Sequence, residues 1–252
     1  MVRQMQTYCL QNIDVIILAG GLGTRLSPVL NGKPKLLAPI CGEPYIEFIL
    51  KWLLSFGVRR IILALGYLAS DVEEYLKSNQ KDGIEIVCSV EPEPLGTAGG
   101  LAKASDYIQG TLALVMNGDS FVDADLCKLI DLHKSSASDA TIICTRIANS
   151  RHYGSVKITE DGIVTSFEEK PSVNSSNLIN AGIYAVNGKL IQRVKGVKSG
   201  SLERDVFQQI PLGGLNAISG KFDFLDIGTP EDYNRADVFF QPFIRRWEAA
   251  KK

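Results

Sequence analysis

Three glycines, an arginine and a lysine stand close together near the start of the chain. Residues 19–25 read Ala19-Gly20-Gly21-Leu22-Gly23-Thr24-Arg25, and Lys35 follows ten residues later. Glycines strip side chains from a loop and accept φ > 0, so bare N–H groups can converge on an anion. With two positive charges beside it, such a loop suits a triphosphate. It is not a Walker A loop, because the Gly-x-x-x-x-Gly-Lys-Ser/Thr spacing does not occur. It is not a dinucleotide fingerprint either, because Leu26 stands where the third glycine belongs. A tight βα turn without ligand is the plainer alternative; the charges that follow favour an anion site. Two acids stand out further on. Asp119 closes Val115-Met116-Asn117-Gly118-Asp119; its carboxylate suits Mg²⁺, a hard cation, or serves as a helix cap. Asp226 precedes Ile227-Gly228-Thr229-Pro230. Thr229 and Pro230 read as a helix N-cap and first helical residue, which leaves Asp226 unexplained. The two histidines, His133 and His152, belong to no such group and read as surface residues.

These residues need elements to carry them. Val15-Ile16-Ile17-Leu18 is short, apolar and β-branched, as a strand buried on both faces must be. Further strands are expected at 60–65, 84–88, 111–116 and 140–146. Helices are expected between them at 43–56, 70–77, 97–104 and 125–135. Ile46, Ile49, Leu50, Leu53 and Leu54 repeat at helical spacing, Ser70 reads as a cap, and Thr97 is placed to cap the helix after it. Alternating β and α elements imply a parallel, doubly wound sheet with sites at the strand carboxyl ends. After Arg146 the pattern changes to strands at 153–158, 163–168 and 178–186 joined by short turns, an antiparallel excursion suited to a lid. A helix at 201–210, a strand at 222–225 and a long helix from Pro230 close the chain.

The length of 252 residues suits one α/β domain, and no repeat or low-complexity linker divides it. A formal net charge of −1 with well-mixed charges argues against a nucleic-acid groove or a polybasic membrane patch. The five cysteines are odd in number and widely spaced without a C-x-x-C pair, which reads as reduced thiols in a cytoplasm rather than a disulfide framework. No signal peptide and no membrane-spanning run are expected. Phe239, Phe240, Phe243 and Trp247 either pack on the core or make the protein a homo-oligomer.

G-G-x-G-T-R-L followed by P-K resembles the signature of the sugar-phosphate nucleotidyltransferases, and four more segments match that family in its order. The resemblance covers residues 15 to about 233. It implies a Rossmann-like three-layer α/β/α sandwich with a mostly parallel mixed sheet and a small β-rich sugar-binding lid. The nucleotide-binding half is expected at 1–145 and the sugar-phosphate half with the C-terminal helix at 146–252. By the same match, Arg25 and Lys35 contact the triphosphate. The family reads P-K-P where this chain has Pro34-Lys35-Leu36, so Lys33 is the alternative register. The nucleotide is implied to lie along Leu18, Ala19, Gly20, Gly21, Gly23 and Thr24, with Asn117 and Gly118. Glu91-Pro92-Glu93-Pro94-Leu95-Gly96-Thr97-Ala98 resembles the base-reading loop, placing Gly96, Thr97 and Ala98 against the nucleobase with Glu93 nearby. Asp226 pairs with Asp119 as the magnesium ligands. Phe167-Glu168-Glu169-Lys170-Pro171 is by its residues a solvated turn; the resemblance makes Glu169 a partner of sugar hydroxyls and Lys170 a partner of the sugar phosphate. Asn180 and Gly182 of Asn180-Ala181-Gly182-Ile183-Tyr184, with Tyr153 and Gly154, line the sugar pocket by the same match.

The implied reaction joins an NTP to a sugar 1-phosphate and releases pyrophosphate. Its nucleophile is already anionic at neutral pH, with a second phosphate pKa near ~6, so no general base is required. Glu93-Pro94-Leu95-Gly96-Thr97-Ala98-Gly99-Gly100, Ser166-Phe167-Glu168-Glu169-Lys170-Pro171, Asp226-Ile227-Gly228-Thr229-Pro230-Glu231-Asp232-Tyr233 and the compact length most resemble the D-glycero-α-D-manno-heptose 1-phosphate guanylyltransferases, and Ser201-Leu202-Glu203 resembles a segment of the same group. Mannose 1-phosphate guanylyltransferases and amino-sugar 1-phosphate uridylyltransferases share most of these motifs. An inactive nucleotide-sugar-binding regulator is the reading from a different class, and it should have lost a metal Asp or the loop Arg.

Overall fold

A computed structural model of the chain describes residues 8–148, 153–168 and 177–249. The first half runs β1 (Asp14–Ala19), α1 (Ser27–Leu30), β2 (Pro39–Ile40), β3 (Glu43–Pro44), α2 (Tyr45–Ser55), β4 (Arg60–Leu65), α3 (Ala69–Ser78), β5 (Glu85–Val90) and α4 (Gly96–Ala104). It continues through β6 (Leu112–Asn117), β7 (Ser120–Val122), α5 (Leu126–Ser135) and β8 (Ala140–Arg146). The second half holds β9 (Ser155–Ile158), β10 (Val164–Glu168), β11 (Leu178–Asn187), α6 (Gly188–Val194), β12 (Leu215–Gly220), β13 (Phe224–Asp226), α7 (Pro230–Asn234) and α8 (Ala236–Ala249).

Nine strands form one mixed sheet in the order β10-β9-β11-β6-β1-β4-β5, with β8 and β12 branching from β11. The β1–β4, β1–β6, β4–β5 and β8–β12 pairs are parallel, and β11 runs antiparallel to β6, β8 and β9. Successive residues of β1 feed two separate cores. Val15 and Ile17 pack with α2, α5 and α8 on one face. Ile16 and Leu18 pack with α4 and α6 on the other. That double burial is why the run carries no polar alternation, and it produces the three-layer sandwich with its mostly parallel mixed sheet.

β1 lies between β4 and β6, so the strand order reverses at β1 and a crevice opens beyond its carboxyl end. Gly118 seals the floor of this crevice. Its N–H donates to the Leu18 carbonyl at 2.8 Å, and a Cβ there would lie 2.9 Å from that of Ala19.

Several expectations need correction. Cys9 and Cys127 are disulfide-bonded, with Cα atoms 5.4 Å apart across 118 residues of sequence. Spacing along the chain carries no trace of a contact between such distant residues. The pairing removes the ground on which reduced thiols pointed to a cytoplasm. His133 is buried, not on the surface, with Nδ1 2.9 Å from Thr141 Oγ1; burial holds its pKa below the ordinary imidazole value. His152 lies outside the described residues. Ser70 does not cap α3, which starts from Leu68 in the left-handed region. The expected helix at 201–210 is a π-turn at Leu202–Val206 followed by a 3-10 turn at Phe207–Gln209. The helix from Pro230 is two helices, α7 and α8. The α8 aromatics pack inward, where Phe240 and Phe243 both meet Phe121 edge-on. Among the described residues no helix is long and apolar enough to cross a membrane.

Candidate active site

The glycine loop leaves β1 and turns at Gly23, whose φ is 61° and whose carbonyl accepts the Leu26 and Ser27 N–H groups that begin α1. Gly21, Gly23, Leu18, Ala19 and Gly118 line a cleft of about 680 Å³ that opens to solvent, and Lys33, Lys35 and Asp119 share it. Of the two candidate lysines, Lys35 reaches inward. It sits on a 3-10 turn, packs under Gly23, and places Nζ 2.9 Å from Asp119 Oδ2. Lys33 is exposed on the rim. Arg25 arches across to the opposite wall, so that a Cβ on Gly228 would lie 3.4 Å from its Nη2. Thr24 is exposed on the same loop.

Asp119 and Asp226 come together through two very short strands. β7 and β13 pair antiparallel with Ser120 opposite Asp226, and the Ile227 N–H donates to the Asp119 carbonyl at 2.9 Å. Asp226 Oδ1 accepts the Gly228 N–H at 2.6 Å. Burial, and then the facing charge of Asp119, push the Asp226 carboxyl up to about 7. Tyr45 lies under the same two acids. Its hydroxyl is buried without a hydrogen-bond partner among the described residues, and burial together with both carboxylates holds it well above the usual phenol range.

The segment between β5 and α4 is held by a glutamate that sequence reasoning passed over. Glu91, not Glu93, turns inward. It accepts the Leu95 N–H through Oε2 at 3.1 Å, and its carboxylate fills the space beside Gly20 and Gly100. Burial raises its pKa. Glu93 is exposed. Glu91 and Glu93 flank a proline with no periodicity around them, so local pattern does not distinguish the one that faces in. Gly96 has φ 72° and abuts Gly200, where a Cβ would lie 2.4 Å from the carbonyl oxygen. The Ala98 N–H donates to that same oxygen at 2.9 Å. Thr97 does not cap α4, which starts from Leu95 with no side-chain cap. Its Oγ1 instead accepts the Leu202 N–H at 2.7 Å.

A second cleft of about 730 Å³ opens on the far side of the two acids. Tyr153, Gly154, Asn180 and Gly182 line it together, and Asp226 forms part of its wall. Asn117, expected with the nucleotide set, lines this cleft instead. Its Oδ1 is buried and without a partner among the described residues. Tyr153 packs edge-on to Phe224 at 5.4 Å. Burial, and then Asp226, raise its phenol pKa. Glu203, Arg204 and Gln208 also line the cleft and were not singled out as site residues, although Ser201-Leu202-Glu203 was conspicuous as a motif. Glu169 and Lys170 lie outside the described residues. Among the described residues no three His, Cys, Asp or Glu side chains gather as a metal cluster, so the acidic pair stands without a third such ligand.

Comparison with known proteins gives a consistent picture. A family model described as nucleotidyl transferase matches residues 14–241. Mannose-1-phosphate guanylyltransferase of Mycobacterium tuberculosis is 34% identical over 229 residues, covering 90% of this chain and 64% of that protein. The chain therefore spans a little under two thirds of that relative's length. D-glycero-alpha-D-manno-heptose 1-phosphate guanylyltransferase of Campylobacter jejuni is 38% identical over 223 residues, covering 88% of this chain and 97% of that protein. The crystal structure of HddC from Yersinia pseudotuberculosis superposes with a TM-score of 0.80 at 34% identity, over 91% of this chain and 100% of that one. The same protein complexed with GMP-PN superposes with a TM-score of 0.79.

Proposed function

The chain belongs to the nucleotidyl transferase family, and from that premise we propose that it transfers a nucleotidyl group from an NTP to a sugar 1-phosphate and releases pyrophosphate. GTP and D-glycero-α-D-manno-heptose 1-phosphate are the substrates we put first. One observation carries this reading: the Asp119–Asp226 pair stands at the boundary of two clefts. Asp119 lines the cleft with the glycine loop and Lys35, and Asp226 lines the one with Tyr153, Asn180 and Gly182. A reaction between two polyanions needs such a boundary, with each anion held on its own side.

In this reading residues 1–145 supply the nucleotide half of a single domain and residues 146–252 the sugar-phosphate half. The glycine loop cradles the triphosphate through backbone N–H groups. Lys35 and Arg25 offset the charge that builds on the departing pyrophosphate. The sugar phosphate enters by the second cleft with its nucleophilic oxygen already anionic, so no side chain need remove a proton. Lys170 and Glu169, on the strength of the motif, hold the phosphate and the sugar hydroxyls. The acidic pair fits a divalent cation. All donors are oxygen, and a carboxyl held up to about 7 by burial and a like charge gains most from a positive neighbour. Mg²⁺ held by Asp119 and Asp226 would supply Lewis-acid charge stabilisation at the α-phosphate. The intact set of Asp119, Asp226, Arg25 and Lys35 weighs against an inactive binding protein.

Heptose is placed ahead of mannose because the Campylobacter jejuni relative is matched over nearly its whole length. The test is pyrophosphate release across four NTPs crossed with heptose, mannose and amino-sugar 1-phosphates in the presence of Mg²⁺. GTP with the heptose 1-phosphate should turn over fastest. Lys35→Ala and Asp226→Asn should each lower turnover at least ~10²-fold, the scale of losing a charge-stabilising group. Saturable binding without pyrophosphate release in any combination would leave only the regulator reading.

A further inference from the structure

A continuous run of hydrogen bonds joins the base-side loop to the sugar-side cleft, and one carboxylate sits at its centre. Glu203 Oε2 accepts from Ser201 Oγ at 2.8 Å and from Thr97 Oγ1 at 3.5 Å. Its other oxygen, Oε1, accepts the Tyr184 hydroxyl at 2.7 Å. That hydroxyl in turn accepts Asn180 Nδ2 at 2.8 Å, and Asn180 Oδ1 accepts the Gly182 N–H at 3.0 Å. Gly182, at φ 75°, closes against Asn117, where a Cβ would lie 2.7 Å from Nδ2. Thr97 is tied at the other end to the backbone of Leu202. The run therefore starts on the loop that faces the nucleobase in the proposed function and ends on the residues that face the sugar.

Tyr184 lines neither cleft, although its partners Asn180 and Glu203 both line the second. It is 0% exposed in the middle of β11, with its ring edge-on to Phe207 at 5.0 Å. A buried phenol that only held β11 in the sheet would need no hydroxyl; a phenylalanine would fill the space. The hydroxyl instead fixes the orientation of the Asn180 amide and takes one oxygen of Glu203. A planar carboxylate divided between two elements transmits displacement. A shift of the first turn of α4 would be felt at Glu203 through Thr97, and from there at the Tyr184–Asn180 bonds. Such fully bonded networks in a low-dielectric interior act as a unit.

We infer that Tyr184 and Glu203 are positioning residues that couple nucleotide occupancy at the first turn of α4, Gly96–Ala98, to the affinity of the Asn180 and Gly182 side for the sugar phosphate. This rests on the proposed function. By linkage the coupling is reciprocal: each substrate tightens the other by the same factor.

The test is calorimetric titration of the full chain with Mg²⁺, α,β-methylene GTP and D-glycero-α-D-manno-heptose 1-phosphate. The analogue cannot release pyrophosphate, so binding is read without turnover. In the wild type, the analogue should tighten sugar-phosphate binding by about fivefold or more, the lower end of typical coupling. Tyr184→Phe keeps the ring and removes one oxygen. It should bring that ratio towards one while the affinity for the analogue alone stays within about twofold, since the change lies outside the nucleotide cleft. Thr97→Val should lower the ratio in the wild-type background and leave it unchanged in the Tyr184→Phe background. If Tyr184→Phe does not fold, Glu203→Gln serves in the same cycle with Thr97→Val. An equal ratio in wild type and variants, or additive effects, overturns the inference and leaves the proposed function standing. A wild type that binds neither ligand overturns the proposed function and the inference with it.

Discussion

The side chain with the clearest solution signature is Asp226. Its carboxyl is held up to about 7 by burial and by Asp119, against an ordinary value of 3.8. The folded state therefore prefers the neutral acid. The stability tied to this group is complete below about pH 4 and is lost as the pH rises through about 7, with a slope of at most ~1.4 kcal/mol per pH unit. In EDTA, urea unfolding of the wild type should weaken between pH 4.5 and 7.5 more than that of Asp226→Asn, because the amide cannot ionise. Adding Mg²⁺ at pH 7.5 should raise the melting temperature of the wild type and leave Asp226→Asn nearly unmoved. Equal pH slopes in the two proteins would mean that Asp226 ionises freely and does not feel Asp119. Lys35 belongs to the same electrostatic group, since its ammonium is the cation paired with Asp119. Lys35→Ala should therefore weaken metal-free folding more at pH 8, where Asp226 has ionised, than at pH 5, where it is neutral.

At the scale of loops and strands, the junction of Gly96 with Gly200 holds the start of α4 to the segment that leads into the π-turn carrying Glu203. Gly96→Ala places a Cβ in the left-handed region and 2.4 Å from a carbonyl oxygen. It should cost at least about 1 kcal/mol in urea melts from the backbone conformation alone. It should also weaken NTP binding, because the loop cannot keep its contact with Gly200. Much at this scale was legible. β4 and β8 lie where the apolar runs placed them, and β1, α2 and α5 differ by a residue or two at their ends. Strands buried on both faces announce themselves by uninterrupted Val, Ile and Leu. Thr229 caps α7 as its Thr-Pro pair indicated, accepting the Asp232 N–H. What stayed hidden was short or half-covered. α6 has seven residues, and β12 alternates buried with part-exposed positions in Leu-Asn-Ala-Ile-Ser-Gly. β7 has three residues, too few for any period, and its partner β13, expected at 222–225 and found at Phe224–Asp226, gave no sign of pairing with it, yet the two bring the acids together. Their convergence was readable only through the family motif, because local pattern holds no information on which distant segments pair. The orientation of Glu91 and the tie of Thr97 to Leu202 were hidden for the same reason: both depend on contacts across the fold.

Across the whole molecule, the site is propped from beneath by aromatic packing. Phe121, two residues past Asp119, meets Trp52 of α2 and Phe239, Phe240 and Phe243 of α8. Phe240→Ala removes a fully buried ring and should cost about 3–5 kcal/mol in urea unfolding. The apolar face of α8 is thus committed to the core. The bond between Cys9 and Cys127 works at the same scale. Reducing it should lower stability by about 2–4 kcal/mol, and Cys127→Ser should abolish the difference between melts with and without dithiothreitol. It also divides the chain into a closed ring and an open tail. The ring, residues 9–127, contains the glycine loop, Lys35, Gly96–Ala98 and Asp119; Tyr153, Asn180 and Asp226 lie on the tail. A single protease cut anywhere within the ring leaves its pieces covalently tethered until a thiol is added, whereas one cut beyond it leaves two pieces that no covalent bond joins.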